Sequence, residues 1–336
     1  MKGLQIPQNY KSTMSLRETQ KAIKLIKDTF QSALSQALNL DRITAPIIVT
    51  QESGINDDLN GVERKVDFTV KEMNERKCEV VQSLAKWKRM ALYRYEYEPG
   101  CGIYTDMNAI RRDDDVDNLH SVFVDQWDWE KIITREDRNE GYLKETVKKI
   151  AKAVSDTCEK VKEIYPCTTT EISSDVFFIT SQELEDMYPD LTPKERENEI
   201  VKKHKTVFLM QIGGVLKSGI KHDGRAADYD DWNLNGDLLF WNDILKCAFE
   251  VSSMGIRVDA KALEEQLKIC HNEERKKFKY HKMILNDELP LTIGGGIGQS
   301  RICMLLLQKA HIGEVQVSIW PEEMIEECKK NSIILL

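Results

Sequence analysis

The stretch TIGGGIGQSR, residues 292–301, carries four glycines within five positions and ends on an arginine. Lacking Cβ atoms, such a run serves either as a tight turn or as an extended segment that a flat base or a phosphate can approach closely. A helix is expected after it, from Gln299 to Gln308, which puts Arg301 in the first helical turn. A planar cation beside a helix N-terminus suits a triphosphate or the face of an adenine. Two other nucleotide loops are excluded: a P-loop needs a GK[ST] ending, and a dinucleotide-binding half-fold needs more chain than follows Gly298.

Just upstream, FEVSSMGIRVDA (249–260) sets Glu250 and Arg257 seven residues apart, a spacing that a strand-turn-strand brings to one cleft. Glu250 offers the oxygen that Mg²⁺ prefers alongside substrate phosphates, and Arg257 can hold a carboxylate bidentately; a structural salt bridge is the alternative. Farther back, LHSVFVDQWDWE (119–130) alternates so that Gln126, Asp128 and Glu130 share one strand face, with Arg111 on a partner strand. That face is either a solvent side or, with Arg111 and the acidic hairpin 112–119, the floor of a cleft. VVQSLAKWKR (80–89) puts Ser83 and Lys88 just past a strand end, where a solvated basic helix is the alternative. In DYDDW (228–232), Asp228, Asp230 and Asp231 crowd behind the basic stretch KHDGR. Crowded carboxylates call for a metal, an ammonium or a protonated amine as neighbour; a flexible acidic loop is the alternative.

Hydrophobic spacing predicts one long helix over 15–40, with Ile23, Ile26, Phe30, Ala33, Leu34 and Ala37 on one stripe. A β-branched strand over 43–50 follows, interrupted by Pro46. Proline cannot donate to a ladder, so this strand belongs at an edge or an interface. Residues 52–61 read as a polar loop. Strands are expected at 66–70, 79–82, 102–111, 121–129, 177–180, 206–212, 238–241 and 249–252. Helices are expected at 83–95, 141–164, 188–203, 259–266 and 272–286. Elements mix without βαβ alternation, so a single α+β domain over 1–336 with a mainly antiparallel sheet fits best.

Bulk properties narrow the function classes. A hydrophobic share of 41% is ample for a core, and a net charge of -8 argues against a polyanion-binding surface. The short basic runs at 202–205 and 276–277 read as solvated helix faces. None of the eight cysteines pairs at CxxC spacing, so free thiols in a reducing cytosol are expected rather than a zinc site. MKGLQIPQNYKS lacks the apolar centre of a signal peptide, and no apolar run approaches the roughly 20 residues that cross a bilayer. A cytoplasmic protein with no membrane partner is expected.

Together these strings resemble the catalytic core of class II aminoacyl-tRNA synthetases. The stretch to Pro46 is similar to that family's first motif, a helix and strand at the dimer interface. AIRRDDD (109–115) through HSVFVDQWDWE is similar to the second, with Arg111 as its α-phosphate arginine. GGGIGQSR is similar to the third, whose closing arginine, here Arg301, stacks on the nucleotide. QSLAKWK (82–88) resembles the aspartate-using branch, where the lysine holds the substrate's side-chain carboxylate. EVSSMGIR resembles that branch's metal-binding glutamate and substrate-binding arginine. SLAKWKR, HSVFVDQWDWE, DYDDW, SSMGIRVDA and TIGGGIGQSR, in that order over nearly the whole chain, resemble the ammonia-dependent asparagine synthetases of type A, the aspartate–ammonia ligases.

The resemblance implies a reaction: aspartate's β-carboxylate attacks the α-phosphate of ATP, giving β-aspartyl-AMP and pyrophosphate, and ammonia then releases asparagine and AMP. It implies Mg²⁺, a homodimer with the segment to about residue 50 at its interface, and no nucleic-acid partner. It also implies no glutamine-hydrolysing domain, whose nucleophilic cysteine has Lys2 in its place. The implied roles set Arg111 and Arg301 on phosphate charge, and Glu250 and Asp237 on Mg²⁺. Ser83, Lys88, Gln126, Asp128, Asp230 and Arg257 line the aspartate site. Asp57 holds the incoming ammonia and takes the proton of ammonium. Ser121, Val124, Ser253 and Gly296 touch the nucleotide. Asn233 alone separates DYDDW from LNGD, a shorter link than the family pattern, which bears on a lid over the nucleotide. Two other readings stand beside this one. Net acidity and the missing anticodon-binding domain argue against a paralogue that aminoacylates tRNA. The presence of Arg111, Glu250 and Arg301 argues against a degenerate binding module.

Overall fold

A computed structural model describes residues 3–57, 59 and 63–336; Lys2 and part of the polar loop 52–61 lie outside them. Its strands are β1 (Leu40–Arg42), β2 (Ile48–Thr50), β3 (Asp67–Val70), β4 (Arg76–Val80), β5 (Gly102–Ile110), β6 (Phe123–Ile132), β7 (Phe177–Thr180), β8 (Thr206–Met210), β9 (Asp230–Asn242), β10 (Cys247–Arg257) and β11 (Thr292–Gly298). Its α-helices are α1 (Leu16–Leu38), α2 (Ala85–Arg94), α3 (Glu140–Ile164), α4 (Ser181–Met187), α5 (Pro193–His204), α6 (Ala260–Ile269), α7 (Lys279–Leu285), α8 (Gln299–Leu306) and α9 (Glu322–Lys330). An 8-stranded sheet runs β1-β5-β6-β11-β10-β9-β8-β7, with β2-β4-β3 as a separate small sheet. Only the two rims of the large sheet, β1 with β5 and β7 with β8, pair in parallel. The α+β class with a mainly antiparallel sheet is therefore observed.

One face of the large sheet is closed by helices. A capping box of Ser15 and Glu18 starts α1, and Asn39 in the left-handed region ends it. Ala22, Ile26, Phe30, Leu34 and Leu38 recur at four-residue spacing and are buried. They join Val147, Ile150 and Val154 of α3, and Trp127 and Trp129 of β6, in the main core. The tryptophans face that core, so period-two alternation turns Gln126, Asp128 and Glu130 to the other side.

Several expected elements shift. Of the strand expected over 43–50 only 48–50 is strand, as β2 of the small sheet; β1, in the large sheet, precedes it at 40–42, where the end of the helix was expected. Pro46 sits in the connection between them, where its missing N–H costs no ladder bond. The helix expected at 188 begins at Pro193, because Thr192 and Glu195 form a capping box and proline suits the first helical position. α4 and α9 were not expected. The helix over 272–286 divides at Phe278 into a 3₁₀ turn and α7. The short link between DYDDW and LNGD is strand β9 itself, part of the sheet rather than a loop.

Candidate active site

The polar face of the sheet opens into a cleft of about 660 Å³. Asp57, Ser83, Lys88, Arg111, Ser121, Val124, Gln126, Asp128, Asp230, Glu250, Ser253, Arg257, Gly296 and Arg301 all line it. Asp237 does not; it stands behind the wall, paired with Arg225.

The glycine run is a strand, not a turn, and it lies between β6 and β10. A Cβ on Gly294 would fall 2.0 Å from Glu130 Oε2 and 2.6 Å from Arg257 Nη2, and one on Gly296 would fall 2.3 Å from Gln126 Oε1. Side chains from both neighbouring strands thus lie across β11, and glycine leaves them the room.

Glu250 and Arg257 lie on one strand, β10, instead of on two arms of a turn. Seven residues apart on a regular strand, they would face opposite sides. A register shift between Glu250 and Ser252 adds Val251 as an extra residue, and this bulge puts Glu250 on the face of Ser253 and Arg257.

At one end of the cleft five buried charges interlock. Arg257 binds Glu130 at 2.7–3.1 Å and also binds Asp230. Thr292 Oγ1 donates to Glu130 at 2.7 Å. Lys88 pairs with Asp128, lies 3.8 Å from Glu130, and donates to the carbonyls of Trp129 (2.9 Å) and Gly295 (3.2 Å). Burial pulls the Lys88 ammonium below its usual range despite Asp128 and Glu130. Burial opposes charge on Glu130 too, but Arg257 and then Lys88 keep its carboxyl below the ordinary value.

At the other end Arg301 Nη1 donates to the Glu250 carbonyl at 2.9 Å and lies 3.6 Å from Glu250 Oε2. Arg111 reaches the Gln82 carbonyl at 3.3–3.4 Å. The amide of Ser300 in the first turn of α8 is bonded to Asp125 at 3.1 Å, so the protein's own carboxylate takes the anion position expected for a ligand there. Burial raises the Asp237 carboxyl to about 6 against the pull of Arg225, and Glu250's charge adds to the rise. Asp237 Oδ1 is buried without a hydrogen-bond partner among the described residues. That free oxygen and the nearby Glu250 carboxylate suit a hard cation that completes its shell with phosphate oxygens and water.

A third corner is built around Asp57, which is 2% exposed. Asn56 Oδ1 accepts from the amides of Asp57 (3.0 Å) and Gln82 (2.9 Å), and Gln82 Nε2 donates to the Asp57 carbonyl at 3.0 Å. Asp57 Oδ1 accepts from the Leu59 amide, whereas Oδ2 is buried and unpartnered among the described residues.

Among the described residues the DYDDW carboxylates share no cation. Asp228 pairs with Lys86, Arg275 and His281, Asp230 with Arg257, and Asp231 with Arg138 at 2.6 Å. Asp228 lies in the bend that precedes β9, and Asp230 and Asp231 are successive strand residues that face opposite sides. Two site residues were missed. Glu130 was seen only as a strand-face residue, and Arg225 only as part of a basic stretch. The pairing of Arg225 with Asp237, twelve positions on, has no local periodicity to betray it.

The aspartate–ammonia ligase family profile matches residues 17–332. An aspartate–ammonia ligase of Clostridium tetani is 61% identical over 98% of this chain and 97% of its own length. That of Ruminiclostridium cellulolyticum is 58% identical over 100% of both chains. Among solved structures, asparaginyl-tRNA synthetase of Pyrococcus horikoshii complexed with asparaginyl-adenylate superposes with a TM-score of 0.65 at 15% identity, over 90% of this chain and 70% of that one. The enzyme of Entamoeba histolytica, also with asparaginyl-adenylate, gives 0.62 at 14% identity, over 89% and 66%. At such low identity the synthetases bear on the fold, which is that of the class II catalytic core. The full-length matches decide the family: this chain is an aspartate–ammonia ligase family member.

Proposed function

We propose that the chain makes L-asparagine from L-aspartate, ammonia and ATP through β-aspartyl-AMP, releasing pyrophosphate and AMP. Family membership supports the overall reaction. The observation that carries the assignment of roles is the layout along β11: interlocked charges lie at one end, arginines at the other, and glycines between.

Lys88 and Arg257 receive the two carboxylates of aspartate, with Lys88 on the side-chain one, as the family resemblance implies. Asp128, Glu130 and Asp230 hold these cations in place before substrate arrives, so little reorganisation is left for the transition state. Asp128 and Asp230, which line the cleft, offer a partner to the substrate's ammonium group, while Ser83 and Gln126 complete the wall. The β-carboxylate attacks the α-phosphorus, the bond to pyrophosphate breaks, and Arg111 and Arg301 stabilise the spreading charge. Ser121, Val124, Ser253 and Gly296 border the nucleotide.

Glu250 and Asp237 would hold Mg²⁺, which when bound draws charge from the phosphate oxygens. Asp57, whose Oδ2 has no partner among the described residues, holds ammonia for attack on the acyl carbon and takes the proton that ammonium must lose. The chain acts as a homodimer through the segment to about residue 50, where Ile47 is 60% exposed and Ile48 44%. Its need for ATP points to the cytoplasm.

Formation of AMP and asparagine from aspartate, ATP and ammonia, with and without tRNA, tests the reading. Asparagine should appear without tRNA; aminoacyl-tRNA as the sole product would overturn it.

A further inference from the structure

We propose that Asp125 is a positioning residue for this reaction: it caps helix α8 from a neighbouring strand and thereby sets the direction of Arg301. The inference rests on the reading of Arg301 as a nucleotide contact. α8 follows Gly298, whose cap position supplies no side-chain bond. The first-turn amides of a helix need acceptors from elsewhere. Asp125, on β6, provides one: its Oδ1 accepts from the Ser300 amide at 3.1 Å and its Oδ2 from Ser300 Oγ at 2.8 Å.

Two more donors hold the carboxylate itself. Gln316 Nε2 donates to Oδ1 at 3.1 Å and also reaches Ser300 Oγ at 3.1 Å. Lys27, on α1, donates to Oδ2 at 3.3 Å. Asp125 is therefore a junction between β6, α1, the start of α8 and the segment after it. It is 8% exposed.

The electrostatics explain why a carboxylate stands here. A helix N-terminus carries partial positive charge, and a basic side chain in the first turn adds to it. Arg301 is that side chain, one residue after the amide Asp125 holds. Asp125 offsets both charges and pins the turn, so that the guanidinium meets Glu250 and the nucleotide end of the cleft. An asparagine at this position keeps the shape but turns an amide NH₂ toward one of the donors, which unpins one side of the turn.

The test is a double-mutant cycle on steady-state kinetics with ATP varied, using Asp125→Asn, Arg301→Ala and the pair. Asp125→Asn should raise the KM for ATP and lower kcat/KM for ATP about tenfold, with the KM for aspartate within about twofold of the parent. The double variant should match Arg301→Ala alone within about twofold, because an unpinned turn costs nothing once Arg301 is gone. Losses that multiply, or parent-like ATP kinetics in Asp125→Asn, would overturn the positioning role while leaving Arg301's own role intact. A parent-like Arg301→Ala would instead overturn the reading of Arg301 and this inference with it. Should Asp125→Asn not fold, Ser300→Ala carries the same cycle, since it removes the 2.8 Å bond and keeps the carboxylate. A smaller loss absorbed by Arg301→Ala supports the role, and multiplying losses refute it.

Discussion

Gly294 shows how much of the site depends on an atom that is missing. Glu130 and Arg257 are 0% and 2% exposed, and their ion pair crosses the strand where a Cβ would stand. Gly294→Ala must push Glu130 away from Arg257 with no solvent to receive either charge. Breaking a buried pair costs about 3–5 kcal/mol. We expect the variant to lose at least about a hundredfold in kcat/KM for aspartate and to melt at lower temperature. Parent-like aspartate kinetics would show that the pair is dispensable. Part of this was legible in the residues alone: a glycine run ending in Arg301 pointed to close approach. What approaches was not. A sequence suggests a ligand above the glycines, whereas the first groups to fill that space are the protein's own side chains from two earlier strands, one more than thirty residues back along the chain and the other more than a hundred.

Elements were legible where one period persisted. α1 and α3 followed from their apolar stripes, and the polar face of β6 from simple alternation. Legibility failed at irregularities. Pro46 marked a break, but not that the strands before and after it, β1 and β2, join different sheets. The Val251 bulge is invisible in composition, so the matching faces of Glu250 and Arg257 were reached by the wrong route. The loop bearing Asp57 is another such case, because it is shaped by Asn56 rather than by any repeat. Asn56 accepts two amides and donates to Val80 O (3.0 Å) and Glu79 Oε2 (3.1 Å), all within a buried corner. Asn56→Ala would take from the buried Asp57 and Gln82 amides the acceptor they share, at about 1–3 kcal/mol for each, while Glu79 keeps Lys65. Since the corner holds Asp57 by its backbone, the variant should lose kcat/KM for ammonia by about tenfold while the rate of pyrophosphate exchange stays within about threefold. Equal losses in both half-reactions would remove the corner from the ammonia step.

At the scale of the whole molecule, the two ends of the described chain are fastened together, and one histidine makes that fastening sensitive to pH. Tyr10 donates to Glu314 at 3.0 Å, Lys309 reaches Ser12 at 2.7 Å, and Glu314 accepts the amides of Ala310 and His311. His311 is 0% exposed, stacks edge-on against Trp320, and uses Nδ1 to accept the Gly313 amide at 3.0 Å. Burial lowers its pKa from 6.5 to about 4. Between those values the unfolded chain binds a proton that the folded one refuses, so stability falls as pH drops from 6.5 toward 4. The full span amounts to about 3 kcal/mol. Glu314 acts in the opposite sense: burial raises its carboxyl, so it favours the folded chain as pH falls. The two are separated by difference, melting the parent and His311→Gln at pH 7 and pH 5. The parent should lose more melting temperature on acidification than the variant does. Parallel losses would mean that His311 takes its proton in the folded chain as readily as in the unfolded one, and that the fastening of the ends titrates elsewhere.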